Sequence, residues 1–307
     1  MVGAKVSQFC LRGRVPELPE VETVLQGLMP VLVGAKVRRL EAMRPDLRFP
    51  LPENFASRVE GQTIERLERR AKYLIAVLSG GEALVMHLGM TGRFSVARGK
   101  SSELLGDYIY ESGGDPKHDH VVFHVSGGVR VIYNDPRRFG FMLMMPEAVR
   151  DQHPLFRNLG TEPLGDLLTA EYLAKRAYGK KVNLKAFLMD QRIVAGLGNI
   201  YVSEALHRAG LSPDRGARFL SDRRGQPTAR AEALVPAIKS VLEQAILAGG
   251  STLKDYRHAD GAKGSFQEAF GVYDRDGKPC TRGGCMGEIK RTIHFGRATY
   301  FCPHCQK

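Results

Sequence analysis

Between residues 36 and 134, short apolar and β-branched runs alternate with polar turns, a pattern that predicts strands. The runs cover 36–43, 63–78, 83–96 and 120–134, separated by Gly or Asn/Asp turns, and Ser126-Gly127-Gly128 marks a hairpin turn within the last. Beyond about residue 146 the period lengthens. Apolar residues recur at helical spacing over 170–178, 183–195, 200–209 and 229–248, and Gly249-Gly250 ends the longest segment. Upstream of the strands, Glu17, Glu20 and Glu22 with Val21, Val24, Leu25 and Leu28 read as an amphipathic helix, acidic in its first turn. Residues 97–119 and 251–265 have loop chemistry. The pattern predicts an α+β multidomain chain: a leader over 1–15, a β-rich domain over 16–146, a helical domain over 147–265 and a cysteine ribbon over 266–307.

Charge narrows the class of partner. Lys and Arg number 45 against 33 Asp and Glu, a net charge of +12, which suits a polyanion but also fits a generally basic protein. At 43% hydrophobic residues, the chain has enough apolar surface for a substantial core. No apolar run approaches the ~20 residues of a membrane helix, so no membrane role is expected. Residues 1–15 carry Lys5, Arg12 and Arg14 without an apolar stretch, which argues against a secretory signal and leaves a transit peptide open.

Cys280, Cys285, Cys302 and Cys305 are spaced C-x4-C, sixteen residues, then C-x2-C. Each close pair clamps one side of a tetrahedral ion, and four thiolates leave no open position, so one structural zinc ion is expected. Two disulfides or free thiols are the competing readings. His294 and His304 are read as bystanders. Arg297, near the turn between the cysteine pairs, is placed to reach a phosphate or to be an ordinary surface arginine.

Pro16 raises a different chemistry. At a free N-terminus, proline is a secondary amine that can attack a sugar aldehyde carbon and form an iminium, with Glu17 beside it as proton donor. Within a chain, the same nitrogen is an amide and cannot do so.

Other segments suit a nucleic-acid backbone. Gly196-Leu197-Gly198-Asn199 joins two helices and offers backbone N–H groups with the Asn199 amide, or is simply a helix stop followed by a cap. Arg69-Arg70-Ala71-Lys72 precedes a strand, with alternation placing Arg70 and Lys72 on one face; Lys180-Lys181 with Lys185 is similar, and both also read as solvated charge. The loop at 134–140 presents Arg137, Arg138 and Phe139, and Met90 lies between glycines in another turn. Apolar side chains at loop tips act as wedges in a base stack, or belong to the core.

Taken together, these residues resemble the bacterial formamidopyrimidine-DNA glycosylase family from Pro16 to Lys307. Seven elements stand in family order: Pro-Glu-Leu-Pro-Glu-Val-Glu-Thr at 16–23, Arg-Arg-Ala-Lys-Tyr-Leu at 69–74, His-Leu-Gly-Met-Thr-Gly at 87–92, Lys-His-Asp-His at 117–120, Asn-Asp-Pro-Arg-Arg-Phe-Gly at 134–140, Gly-Leu-Gly-Asn-Ile-Tyr at 196–201 and the four-cysteine ribbon. The C-x4-C spacing departs from the family's shorter one. The resemblance implies a two-sheet β-sandwich, a helix–two-turns–helix domain and a zinc-finger hairpin. It implies a bifunctional glycosylase and lyase that excises 8-oxoguanine and formamidopyrimidines from damaged double-stranded DNA in base excision repair, without an organic cofactor. It assigns the nucleophile to Pro16, its partner to Glu17, β-elimination to Lys72 and δ-elimination to Arg297. DNA contacts carry over to His118, Arg137, Lys181 and Asn199, and the wedge to Met90, Arg137 and Phe139. Residues 251–265 are expected to cover the extruded base. A cytoplasmic, nucleoid-associated bacterial monomer is expected.

Two alternatives stand beside this. An endonuclease VIII-like glycosylase for oxidised pyrimidines usually begins Pro-Glu-Gly-Pro, which Leu18 argues against. A non-catalytic zinc-ribbon protein that binds damaged DNA is the second. The position of Pro16 leads to a further expectation: that Val15 is a start codon GTG and residues 1–15, with the odd Cys10, are a misassigned start.

Overall fold

The computed structural model describes residues 16–98, 115–251 and 265–307. The leader with Cys10, most of the 97–119 loop and nearly all of the 251–265 loop expected to cover the base lie outside the described residues. These residues form two compact units, one of 16–157 with 248–251 and 265, the other of 158–247 with 266–307.

The first unit begins with helix α1, Leu18–Leu32, which has a proline in its first turn. Leu18, Val21, Val24, Leu25, Leu28 and Leu32 form its buried face, each contributing about 1.5–3 kcal/mol when fully buried. The helix packs on β2 (Ile64–Arg70) and β3 (Tyr73–Leu78), and a short second helix, α2, spans Phe55–Val59. These strands belong to an antiparallel sheet ordered β2-β3-β4-β8, with β4 at Glu82–His87 and β8 at Phe141–Pro146. The second antiparallel sheet is ordered β1-β6-β7-β5, from Val37–Ala42, Asp119–Val125, Val129–Asn134 and Arg93–Arg98. The sandwich places alternate residues of β6 and β7, among them Val121, Phe123, Val131 and Tyr133, in the core. Leu74–Leu78 are buried on both faces of β3, which is why that strand reads as an unbroken apolar run.

Two details differ from the sequence pattern. The run 63–78 is not one strand. It folds back at Ala71, whose φ is +53°, so Arg70 ends β2 opposite Tyr73 and Lys72 lies in the turn. Alternation therefore does not place Arg70 and Lys72 on one strand face. β8 was not among the expected strands, because Phe141-Met142-Leu143-Met144-Met145 lacks the polar alternation of a half-exposed strand.

The second unit holds α3 (Ala170–Ala177), α4 (Leu184–Met189), α5 (Asn199–Ala209) and α6 (Ala229–Leu247), followed by the hairpin β9 (Lys290–His294) and β10 (Arg297–Phe301). The helix expected over 183–195 stops at Met189. Gln191 then builds the two turns: its Oε1 accepts from Gly196 N at 2.8 Å and its Nε2 donates to Leu197 O at 2.7 Å. The hairpin is tied to the helices. Gln306 Nε2 donates to Leu211 O at 2.8 Å, and Lys307 N donates to Gly210 O at 3.0 Å. Those bonds explain why ribbon and helices form one unit. Residues 147–157 stay with the sandwich, where the turn Glu147–Gln152 packs on β4 and β8.

Candidate active site and nucleic-acid interface

Pro16 and Glu17 precede α1, and both are buried. Glu20 organises this end of the helix. Its Oε2 accepts from Glu17 N at 2.9 Å, and its Oε1 accepts from both the backbone N and Oγ of Ser251, each at 2.9 Å. Nearby, Glu22 pairs with Arg69 at 2.7 Å, and Arg69 Nη1 donates to Ala71 O at 3.0 Å, which fixes the turn carrying Lys72. Burial lowers the Lys72 pKa from its ordinary 10.5, against the opposing pull of Glu17 and then Glu20. A lysine whose pKa burial lowers, facing two carboxylates, is equipped for proton transfer.

His87 lies next to this group. Burial first, then Lys72 and Arg48, pushes its pKa down to about 3, so the ring is neutral. Its Nδ1 accepts from Gly89 N at 3.0 Å, and the ring stacks on Phe141 at 5.2 Å. His87 thereby connects the lysine turn to the turn bearing Met90.

Asp135 builds the next cluster. Its buried carboxylate accepts from Thr91 Oγ1, from Gly140 N at 2.8 Å and from Tyr133 OH at 3.2 Å. Arg137 N donates to Thr91 Oγ1 at 3.2 Å, and Asp135 N donates to His118 O at 3.0 Å. His118, the Met90 turn and the Arg137–Phe139 loop are thus brought together. Phe139 is 42% exposed, with the Arg137 guanidinium 4.7 Å from its ring centre. Met90 differs from the expected exposed wedge, being only 6% exposed. The cause is Gly89, where a Cβ would lie 2.3 Å from Gly140 N and Phe139 C, so this turn is pressed into the neighbouring loop.

In the second unit, Lys185 corrects an expectation. It is not a solvated charge but 1% exposed, donating from Nζ to Ala298 O at 2.9 Å and to Thr299 Oγ1 at 2.6 Å. The Asn199 amide also turns inward, donating to Ala298 O at 3.0 Å and Tyr273 OH at 3.4 Å, rather than standing free for a phosphate. Both residues hold the start of β10, where Arg297 follows the turn Phe295-Gly296. Burial lowers the Arg297 pKa from its ordinary value. Lys181 is exposed on the segment before α4.

The four cysteine sulfurs all lie within 4.8 Å of one another, with Cys280–Cys305 and Cys285–Cys302 each at 3.7 Å. A tetrahedral ion with Zn–S of about 2.3 Å has S···S edges of about 3.8 Å. A disulfide requires about 2.05 Å. The four sulfurs therefore fit a metal and not a pair of disulfides. His304 Nδ1 lies 3.3 Å from Cys285 Sγ, and His207 Nε2 lies 3.3 Å from Cys280 Sγ.

Glu20, Asp135, Lys185 and His207 support the site but escaped sequence reasoning. The distant partners of Glu20, Lys185 and His207 are 73 to 231 residues away, and Asp135 lies in a motif read only for its arginines and phenylalanine. The unusual Asp-Pro pair ahead of Arg137 was the available signal.

The formamidopyrimidine-DNA glycosylase N-terminal domain matches residues 15–142, and the formamidopyrimidine-DNA glycosylase H2TH domain matches 159–257. Formamidopyrimidine-DNA glycosylase of Azorhizobium caulinodans is 54% identical over 293 residues, covering 95% of this chain and 100% of the relative. The Beijerinckia indica enzyme of the same name is 55% identical over 294 residues, with the same coverage. Among solved structures, the MutM (Fpg) protein from Thermus thermophilus is similar with a TM-score of 0.77 at 36% identity, covering 95% and 98% of the two chains. Lactococcus lactis Fpg in complex with an abasic-site-containing DNA gives 0.80 at 30% identity, covering 95% and 99%. Sandwich, helical unit and cysteine hairpin, with these matches, define a DNA glycosylase of base excision repair. The chain belongs to the formamidopyrimidine-DNA glycosylase family.

Proposed function

We propose that this enzyme excises oxidised purines, 8-oxoguanine and formamidopyrimidines, from duplex DNA and then cleaves the strand at the resulting site. The observation that carries this reading is the arrangement at the helix headed by Pro16: Glu20 accepts from Glu17 N, and the turn fixed by the Glu22–Arg69 pair carries Lys72, whose amine burial makes less basic. A Lactococcus lactis Fpg mutant has been solved with Fapy-dG-containing DNA, which supports the same lesion class.

In the proposed reaction the damaged nucleotide leaves the stack. Phe139 and Arg137 fill the gap, with the Met90 turn behind them. The Pro16 nitrogen forms a bond to C1′, the bond from C1′ to the base breaks, and the departing base takes the electron pair and a proton. The sugar ring opens as the iminium forms, with Glu17 supplying the proton to the ring oxygen. Lys72 removes a C2′ proton, made acidic by the iminium, and the 3′ phosphate leaves. A second elimination, assigned to Arg297, releases the 5′ phosphate. His118, Lys181 and the N–H groups before Asn199 hold phosphates.

Cys280, Cys285, Cys302 and Cys305 would hold one zinc ion that stabilises the hairpin. The proposed setting is the bacterial cytoplasm, with a monomer acting on the chromosome. The amine requires Pro16 to be N-terminal, so the active form is assigned to the chain starting there.

Borohydride reduction of the enzyme on an 8-oxoguanine duplex tests the proposal. Protein starting at Pro16 should become covalently linked to DNA, with the mass of the N-terminal peptide raised by the adduct. A full 307-residue chain with an intact leader that cleaves equally well would overturn the Pro16 assignment. Binding without any adduct would favour the non-catalytic ribbon protein, and adducts formed only with oxidised pyrimidines the endonuclease VIII-like alternative.

A further inference from the structure

The helical unit carries a charged surface that the reaction above does not use. After α5, a short 3-10 turn at Ala217–Leu220 turns Phe219 outward, leaving it 39% exposed. Three guanidinium groups surround its ring: Arg215 at 5.0 Å from the centroid, Arg218 at 5.4 Å and Arg230 at 6.0 Å. Each contact is worth about 0.5–1 kcal/mol at an exposed site, enough to orient an arginine but not to neutralise it.

Among the described residues no carboxylate pairs with Arg215, Arg218 or Arg230, and Arg215 Nε is buried without a hydrogen-bond partner. Asp214 is engaged by His294 Nε2 at 2.6 Å. Asp222 is occupied with its own turn, its Oδ1 accepting from Arg224 N at 2.7 Å and Gln226 N at 2.8 Å. That turn adds exposed Arg223 and Arg224 at the border of the cluster. On the other side the backbone is continuous with the Lys181 segment, since Arg218 N donates to Lys180 O at 3.0 Å and Ala217 N to Val182 O at 2.7 Å.

Three like charges held around one ring repel each other, and that repulsion falls when an extended polyanion lies across them. Duplex DNA presents one negative charge per about 1.7 Å of its axis, and guanidinium groups bind phosphate oxygens in pairs. We infer that the Phe219 arginine cluster is a second phosphate-binding surface, which grips the backbone of duplex DNA outside the lesion and lengthens the enzyme's footprint. The inference rests on the reading that the chain acts on duplex DNA.

The test uses the double variant Arg218→Gln/Arg230→Gln in the zinc-loaded enzyme, with both side chains already exposed. Binding is measured against salt on lesion duplexes about two and about four helical turns long, of ~10 base pairs per turn. On the longer duplex the variant should bind about tenfold more weakly at moderate salt, with a log–log salt slope shallower by about 1.8 for two phosphates lost. On the shorter duplex the two proteins should converge. Thermal midpoint, zinc content and single-turnover excision at saturating enzyme should match wild type. Unchanged affinity and slope on the longer duplex would overturn the inference. So would a loss confined to single-stranded RNA or an acidic peptide, or an equal loss in saturated excision. Failure of the wild type to excise any lesion would instead sink the proposed function, while the salt slope on undamaged long duplex still reads the cluster.

Discussion

Glu20 Oε1 accepts two hydrogen bonds from Ser251, from its backbone N and its hydroxyl, across 231 positions of sequence. The other carboxylate oxygen accepts from Glu17 N. One buried side chain therefore fixes both the residue next to Pro16 and the start of the loop expected to cover the base.

Glu20→Ala should leave these buried donors unsatisfied. At about 1–3 kcal/mol for each of the three groups, the expected loss is roughly 3–9 kcal/mol in urea unfolding. Amide exchange at Ser251 should accelerate more than in β3. A loss below about 1 kcal/mol would mean that water replaces the carboxylate.

Strand cleavage should rise with pH as Lys72 loses its proton, and reach its plateau below the ordinary lysine value of 10.5. The sign for stability is the same. In the window below 10.5 the unfolded chain retains this proton while the folded chain has released it, so the contribution of Lys72 to stability grows as pH rises. Single-turnover cleavage of a preformed abasic site, followed against pH, measures the first effect. A profile for Lys72→Arg identical to wild type would remove Lys72 from proton transfer.

Phe139→Ala should separate function from folding. The side chain is 42% exposed, so unfolding free energy should change by less than about 1 kcal/mol, while extrusion, reported by a fluorescent base beside the lesion, should slow. Asp135→Ala should do the reverse first, destabilising by several kcal/mol, about 1–3 for each stranded donor. A loss of ~3–5 kcal/mol for Phe139→Ala would place that ring in the core instead.

Cys302→Ser should lose metal and DNA affinity together. His207→Ala tests the contact to Cys280 more finely. Loss of a hydrogen bond to a ligand should weaken metal affinity by about 10–100-fold, measured by competition with a coloured chelator. Unchanged DNA binding by fully metal-free protein would contradict a structural role for the ion.

Much of this site was legible in the chain because its chemistry is local. Four cysteines at ligand spacing converge regardless of what surrounds them, and the glycines around 196–198 mark the turns before α5. Lys185 was not legible. In sequence it joins a run of surface lysines, and only the approach of β10, 113 residues away, supplies the carbonyl that buries it. Met90 failed for the same reason, since a turn between two glycines says nothing about a second loop pressed against it. β8 was hidden because an unbroken apolar run carries no period.

The close packing of Gly89 against Phe139 and Gly140 bears on how a gap in DNA would be filled. Two independent fingertips would each surrender freedom of movement on entering a stack. Here the Met90 turn and the Phe139 loop share one footing and have already given up that freedom during folding. Phe139 would enter as the tip of a single stiff tooth, backed by the Met90 turn, its shape set before any DNA arrives.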